Sequence, residues 1–401
     1  MTSTAAGTVR FREVLAVREY RALWSSGLIS RMGDQLARVA LAVLAYELTG
    51  SATVTTFTYA LTFVPSLLGG PLLGGLADRF PRRRVMVVCD VARALLVGLM
   101  ALPQVPFPAL CALLLVVQLI DAPEKTARIA TTPDVLEARL YPAGVTLSQM
   151  TSQLTALAGF GAGGAIVTAA GPRAALAMNA ASFALAALIV AAGVRHRPAS
   201  RTGRAVSLRE TAAGVRLVAT DPRLRGLLGF ALLATFSIAP EGLAVPYADA
   251  LGGGAVAAGL LLCAIPAGSV VGMYLVNRLS AGPPALAPLA ALSCLPLVVS
   301  AAEPGVAVSV AAWFLTGALS AYQVIANAEF VRLVPAERRG QAVGVAASAL
   351  TAVQGVGVLL SGPLADLAGP AAAIAVYGAA GTIAALPLAR SWRRNTTTAR
   401  A

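Results

Sequence analysis

The sequence predicts an all-α membrane protein: twelve transmembrane helices in two six-helix pseudo-repeats, with both termini in the cytoplasm. Three observations carry this prediction. The 401 residues are 57% hydrophobic and only 12% charged, with a mean hydropathy of +0.76, whereas soluble domains carry about twice that charged share. The apolar residues fall into runs of about 20, the length a helix needs to cross a bilayer. The basic residues lie almost entirely on one side of those runs.

The runs lie near 22–46, 55–77, 85–102, 108–130, 144–168, 172–193, 224–247, 254–276, 283–301, 305–328, 340–363 and 370–389. Turn signals separate them: TGSA (49–52), PQVPFP (103–108), GP (171–172), GGG (252–254), EPG (303–305) and GP (369–370). With the N-terminus inside, 26 of the 31 basic residues fall on the cytoplasmic side, including Arg10 to Arg21, Arg79 to Arg84, Arg128, Arg139, eight between Arg195 and Arg225, and Arg390 to Arg400. The outer loops hold only Arg173. This is the asymmetry that orients membrane helices, so the net charge of +13 reads as retained loops and not as a nucleic-acid surface. The N-terminus has neither a signal-peptide apolar region nor a myristoylation pattern, and the first helix is expected to serve as its own insertion signal.

The domain reading follows. Residues 1–21 form a cytoplasmic segment, 22–193 a first six-helix bundle, 194–223 a basic cytoplasmic linker, 224–389 a second bundle and 390–401 a cytoplasmic tail. The linker ends in an amphipathic stretch, LRETAAGVRLV, with Ser207 as its N-cap. The halves echo each other: LTALAGFG (154–161) in span 5 matches LTAVQGVG (350–357) in span 11, and Gly-Pro follows each. Parallel repeats joined by a cytoplasmic linker are a transporter architecture. Cys89, Cys111, Cys263 and Cys294 all sit in apolar runs and read as small core residues, with no disulfide framework and no metal spacing.

One polar interval is unusually dense. GGLADRFPRRRV (74–85), between spans 2 and 3, holds one aspartate and four arginines. Gly74, Leu76, Asp78, Arg79, Arg82 and Arg83 match the pattern G-x-L-a-D-r-x-G-r-k, with Pro81 in place of its second glycine. SRMGDQLARVAL (30–41) with YELTGSA (46–52), and Gly159, Gly163 and Gly164 in span 5, add to the match, although Thr155 and Phe160 stand where a glycine and a proline would. On these residues the chain resembles the major facilitator superfamily over nearly its full length, and most closely its twelve-span bacterial drug and siderophore exporters. The resemblance implies that Asp78 faces the N-terminus of span 11, near PAERRGQ (335–341), where unpaired N–H groups carry partial positive charge. Asp78 would then latch the halves at the cytoplasmic face. Asp90 and Arg93, at the start of span 3, would support that latch, and Asp90 and Asp134 would pair with the loop arginines. A plain positive-inside anchor is the alternative. The second-half copy of the motif is reduced to LVNRL (275–279).

A charge at mid-bilayer costs roughly 2.5–3.5 kcal/mol on insertion scales, so each one needs a reason. Span 1 holds Arg31, Asp34 and Arg38 on one face. Span 4 holds Gln118, Asp121, Glu124 and Lys125, span 7 holds Glu241, and span 10 holds Tyr322, Gln323 and Asn327, with Glu329 at its end. In the family these are the helices that line a central cavity. The three cations and three anions of spans 1 and 4 can neutralise each other. Glu241 has no cation in its own span, although Arg31 or Arg38 lies within reach across a cavity. Glu241 is therefore the first candidate for a proton carrier and Asp34 the second, with a structural ion pair the equal alternative for Asp34. Gly159, Gly163, Gly164, Gly355 and Gly357 read as helix-packing positions. Asp366, near the outer end of span 11, is expected to be solvated, and His196 to be a surface residue.

The expected function is secondary transport of a small molecule across a bacterial plasma membrane by a monomer, outward and in exchange for protons, with no cofactor beyond the proton gradient. An importer or facilitator of a small, anionic metabolite is the alternative. An enzyme is disfavoured by the single histidine, the absence of G-x-S-x-G and the absence of a metal-spaced cluster. The absence of G-x-x-x-x-G-K-[ST] excludes ATP hydrolysis by this chain.

Overall fold

The computed structural model of the protein describes residues 11–63, 79–197, 208–279, 281–335 and 338–397. Regular structure among them is helical throughout. In chain order the helices are α1 (Phe11–Ala16), α2 (Arg18–Thr49), α3 (Ala52–Ala60), α4 (Arg82–Met100), α5 (Phe107–Val135), α6 (Tyr141–Ala170), α7 (Pro172–Gly193), α8 (Leu208–Thr220), α9 (Pro222–Leu232), α10 (Ala234–Gly242), α11 (Ala244–Ala250), α12 (Gly254–Arg278), α13 (Leu286–Ser293), α14 (Val306–Leu319), α15 (Tyr322–Leu333), α16 (Arg339–Ala368) and α17 (Pro370–Thr397). Two 3₁₀ segments, Pro283–Ala285 and Leu295–Ala302, flank α13.

Nine helical segments of the described residues are long and apolar enough to cross a membrane. Three further predicted runs fall short of that criterion for identifiable reasons. In α2 and α4 every 18-residue window holds more than two ionisable residues. The run 55–77 is described only as far as residue 63, and Gly74, Leu76 and Asp78 lie outside the described residues.

Several predicted elements differ in the structure. The run 224–247 is three helices, α9 to α11, broken at Leu233 and Leu243; at the second break Pro246 has no N–H to give the Gly242 carbonyl. The run 305–328 breaks at Ser320 and Ala321 into α14 and α15. The tail does not separate from the last helix: α17 continues through Thr397. The linker helix runs from Leu208 to Thr220, while Ser207, its expected cap, lies outside the described residues.

The exposed surface is inverted relative to a soluble bundle. On α4, Val88, Val91, Leu95 and Leu99 recur every three or four residues and face outward, Leu95 with 70% of its surface exposed. The opposite face buries Met86, Cys89, Asp90, Arg93, Val97 and Met100. An apolar outside over a polar inside is stable where the surroundings are hydrocarbon.

Two seams join the first half of the chain to the second. Helix α6 packs on α12, and α3 packs on α16. The first seam is close because glycines meet: a Cβ on Gly164 would lie 2.5 Å from the Ala255 carbonyl oxygen and 3.0 Å from Gly259 Cα. The echoing segments LTALAGFG and LTAVQGVG lie in α6 and α16, one in each seam.

The apolar core is divided unevenly. Two clusters run through both halves, a large one from Leu36 and Phe160 to Leu243, Tyr247, Leu261, Trp313 and Ile374, and a small one of Tyr59, Ala60 and Val358. Toward the arginine-rich end the clusters stay within a half. Leu23, Val85, Met86 and Val190 form one, Tyr20, Leu136 and Leu140 another, and Leu224, Phe230, Tyr322 and Trp392 a third. The halves are thus fused at the end carrying the 50–52 turn.

Candidate functional site

The charges of the first half converge on Arg93. This residue, 1% exposed, projects from α4 and donates to both carboxylate oxygens of Asp34 on α2, at 3.1 and 3.0 Å. Its other terminal nitrogen lies 3.2 Å from Asp121 on α5 and 3.9 Å from Asp90. The guanidinium also covers the Phe183 ring at 3.9 Å. A planar fork with five donors suits such a junction of three helices. Arg93, expected beside the loop motif as a support of the latch, is the hub of a buried network. Asp90, fully buried, faces the same hub and has no hydrogen bond among the described residues.

A second knot ties α5 to α2. Arg128 donates to Glu124 at 2.7 Å, to Ser26 Oγ at 2.8 Å and to the Leu23 carbonyl at 2.6 Å. Its side chain is mostly buried between the two helices. Lys125 pairs with Asp121 at 2.5 Å and reaches toward solvent. The expected balance of three cations and three anions is accordingly changed. With Asp90, Arg93 and Arg128 included, the set holds five cations and four anions, and neither Arg31 nor Arg38 forms an ion pair among the described residues. The Nε atoms of both are buried without a hydrogen-bond partner.

Glu241 ends α10 beside the break at Leu243. Its Oε2 accepts a hydrogen bond of 2.7 Å from the hydroxyl of Tyr59, on α3 of the opposite half. Tyr59 is itself 3% exposed. Arg38 on α2 is the cation whose charge acts on both. Glu241 is thus reached from across the interior, by Arg38 through space and by Tyr59 directly. Nothing in TVTTFTYALTF (53–63) marks Tyr59 as polar machinery; only the packing of α3 on the second half reveals it.

Other expected positions are placed as follows. Tyr322 is 1% exposed within the apolar cluster of the second half, whereas Gln323 is half-buried and Asn327 exposed one turn further on. Gln118 is half-buried on α5. Asp366 is not simply solvated: it accepts hydrogen bonds from Ser51 Oγ and from the backbone N–H groups of Ala52 and Thr53. At the other end Arg82 pairs with Asp134 at 2.5 Å, Arg83 donates to the Ala191 carbonyl, and Arg79 is exposed. Arg82 and Arg83 border a cavity of about 110 Å³ together with Arg195 and Arg197.

Glycines line the contacts between helices. A Cβ on Gly159 would meet Gln35, one on Gly163 would meet Val39, one on Gly355 would come within 3.1 Å of Phe63, and one on Gly357 would meet Thr235. Cys89, Cys111, Cys263 and Cys294 are free thiols, and His196 is exposed. Among the described residues no cluster of metal-ligating side chains is present.

Long apolar helices around a polar interior, whose halves join at the 50–52 end among the described residues, are the build of a multi-pass membrane transporter. Comparison with known proteins agrees. The sequence model of the Major Facilitator Superfamily matches residues 23–287, and the chain belongs to that superfamily. The fold is similar to that of a bacterial homologue of the human lysosomal transporter Spinster in an inward-facing, unoccupied conformation, with a TM-score of 0.73, 13% identity and coverage of 93% of this chain and 96% of that one. It is likewise similar to a peptide transporter POT variant, with a TM-score of 0.72, 14% identity and coverage of 97% and 99%, and to a variant of the nucleoside transporter NupG, with a TM-score of 0.69, 16% identity and coverage of 93% and 99%. In sequence, macrolide efflux protein A of Streptococcus pyogenes is 29% identical over 73 residues, a stretch that covers 18% of each chain.

Proposed function

We propose that the protein is a secondary active exporter of a small molecule, working by alternating access in a bacterial plasma membrane and driven by protons entering in exchange. Two six-helix bundles, 22–193 and 224–389, rock about the interior, with the arginine-rich end in the cytoplasm. Glu241 carries the proton. The observation that carries this reading is its place: a carboxylate in an apolar helix whose direct hydrogen-bond partner, Tyr59, belongs to the opposite half. Such a group gains or loses its charge as the halves move. Asp34, gripped on both oxygens by Arg93, serves the structural network. Arg31, Arg38, Gln118, Lys125, Gln323 and Asn327 are the polar groups left to meet a substrate. The fused core at the 50–52 end supports an inward-open arrangement, and the likeness to a macrolide efflux protein supports export. Asp78 closes the cytoplasmic end in the alternate state, against the start of α16.

A second reading, uptake or facilitated movement of a small anion, is favoured by one observation: Arg31 and Arg38 form no ion pair among the described residues. Direction of transport separates the two. Expression in an efflux-deficient bacterial host is expected to raise resistance to one or more compound classes, macrolides among those tested. The gain should vanish with a protonophore and in Glu241→Gln. Unchanged susceptibility across all classes, together with inward accumulation of an anion in proteoliposomes, would overturn export.

A further inference from the structure

We propose that Tyr59 is the positioning residue that makes the charge state of Glu241 depend on which way the carrier faces. The inference rests on the reading of Glu241 as the proton carrier and adds the device that gives coupling its direction.

The geometry is specific. Tyr59 lies on α3 and Glu241 on α10, so the 2.7 Å bond between them spans the seam between the halves. A phenol hydroxyl can only donate to an ionised carboxylate, since the carboxylate has no proton to give. That charge-assisted bond is one the ionised carboxylate can make only while Tyr59 is in place. Among the described residues Arg38 on α2 is the charge that acts on Glu241, and the helices packed on α10 bring no other. On α16 the neighbouring polar group is Ser361, whose hydroxyl is turned to the Val358 and Ala239 carbonyls. On α17 it is Tyr377, which donates to the Gly357 carbonyl. The remaining surroundings, Ala239, Pro240, Leu243 and Val358, are apolar.

The bond exists only while the 50–52 end is closed. When that end opens, α3 leaves α10 and α16, and the carboxylate loses its donor while its apolar neighbours on α16 and α17 stay. The ionised form then loses the hydrogen bond that singled it out. By linkage, Glu241 takes a proton when the carrier faces outward and gives it up when the carrier faces inward. This order moves protons inward, as export by exchange requires. A hydrogen bond to a charge is worth roughly ten- to a hundredfold in an equilibrium constant, enough to set that order.

The test follows the opening of the 50–52 end without needing a substrate. Spin labels at L48C and L367C, exposed positions on opposite halves, are placed in full-length protein whose four native cysteines are replaced, reconstituted in nanodiscs. Distance distributions are recorded from about pH 5 to about pH 9, across the range of carboxylate and imidazole titration. In the parent the opening constant should rise as pH falls. E241Q should be flat with pH. In Y59F the ratio of acid to alkaline opening constants should shrink at least tenfold, and Y59F/E241Q should match E241Q in its flat response, because both changes act through one bond. A Y59F response within twofold of the parent, with E241Q flat, would overturn the role of Tyr59 and leave Glu241 as carrier. A parental response in E241Q would overturn Glu241 as carrier, and with it the inference.

Discussion

The carboxylate of Asp366, in the last turn of α16, accepts the backbone N–H of Ala52 at 2.8 Å, at the first residue of α3 in the opposite half. Its second oxygen takes the Thr53 N–H at 3.1 Å and the Ser51 hydroxyl at 2.9 Å. The first N–H groups of a helix have no partner within the helix, and their dipoles favour a negative charge. Ser51 satisfies another of them, accepting from Val54. The start of α3 is therefore capped partly from within its own half and partly by the other half.

Asp366→Asn should loosen this end of the molecule. Asparagine keeps the size but loses the charge and one acceptor. Exposure of the site limits the effect to about 1 kcal/mol, close to that of a lost helix cap, or a several-fold shift toward the open state. Labelling of a cysteine at Thr53 by a membrane-impermeant maleimide should accelerate accordingly. An unchanged labelling rate would show that the bonds contribute nothing to closure.

Arg93→Gln should be among the most damaging single substitutions in the protein. It leaves Asp34, Asp90 and Asp121 facing one another in the interior without their shared cation. Breaking a buried pair in this way costs about 3–5 kcal/mol. Arg93→Lys restores the charge but not the fork, and should recover part of the loss. Thermal unfolding in detergent orders the three proteins as parent, Lys and Gln. Equal melting of Gln and Lys would refute the hub.

Gly164→Val tests the α6–α12 seam. Its Cβ would sit 2.5 Å from the Ala255 carbonyl, a backbone atom that cannot swing aside. Overpacking of this kind costs about 1–3 kcal/mol, and here the strain exists only while the seam is closed. The variant should still insert and fold, populate the open state at the 50–52 end, and transport poorly. Spin-label distances across that end give the answer directly.

At the arginine-rich end the Glu19 carboxylate, in the first turn of α2, pairs with Arg197 and accepts the Arg195 N–H at 3.0 Å. Burial pushes this carboxyl up, but the bond to Arg197 and the charges of Arg197 and Arg195 outweigh it and hold it below its ordinary value of 4.5. A carboxylate lowered by folding contributes stability that is complete above its unfolded value and is lost as pH falls through its folded one. Arg197→Gln should therefore lower the melting temperature at neutral pH, by an amount worth at most about 1 kcal/mol for a partly exposed pair. The difference from the parent should begin to shrink once pH falls below 4.5 and vanish when pH has passed below the lowered folded value, where Glu19 is protonated in both. A difference that persists in acid would mean Arg197 acts by packing alone.

Hydropathy and loop signals made the long helices legible, because a helix in hydrocarbon must satisfy its own backbone and so must be long, apolar and uninterrupted. The seam segments were legible too, as a repeated LTA…G pattern whose small residues let backbones meet. Breaks within a run were not. Nothing in the pattern marked the interruptions at Ser320 and Ala321 or the 3₁₀ course of Leu295–Ala302, where it stays apolar throughout.

Pairing of the charges was the least legible part. The sequence by itself determined that Arg31, Asp34, Arg38, Asp121, Glu124, Lys125 and Glu241 lie within apolar helices, since composition alone sets what must enter the membrane. Only the tertiary structure decided that Arg93 joins Asp34 to Asp121, that Asp366 holds the start of α3, and that Glu241 answers to Tyr59. Each of these contacts joins residues dozens to hundreds of positions apart. Their partners are fixed by which helix faces pack together, and a linear pattern of polar and apolar residues carries no record of that choice.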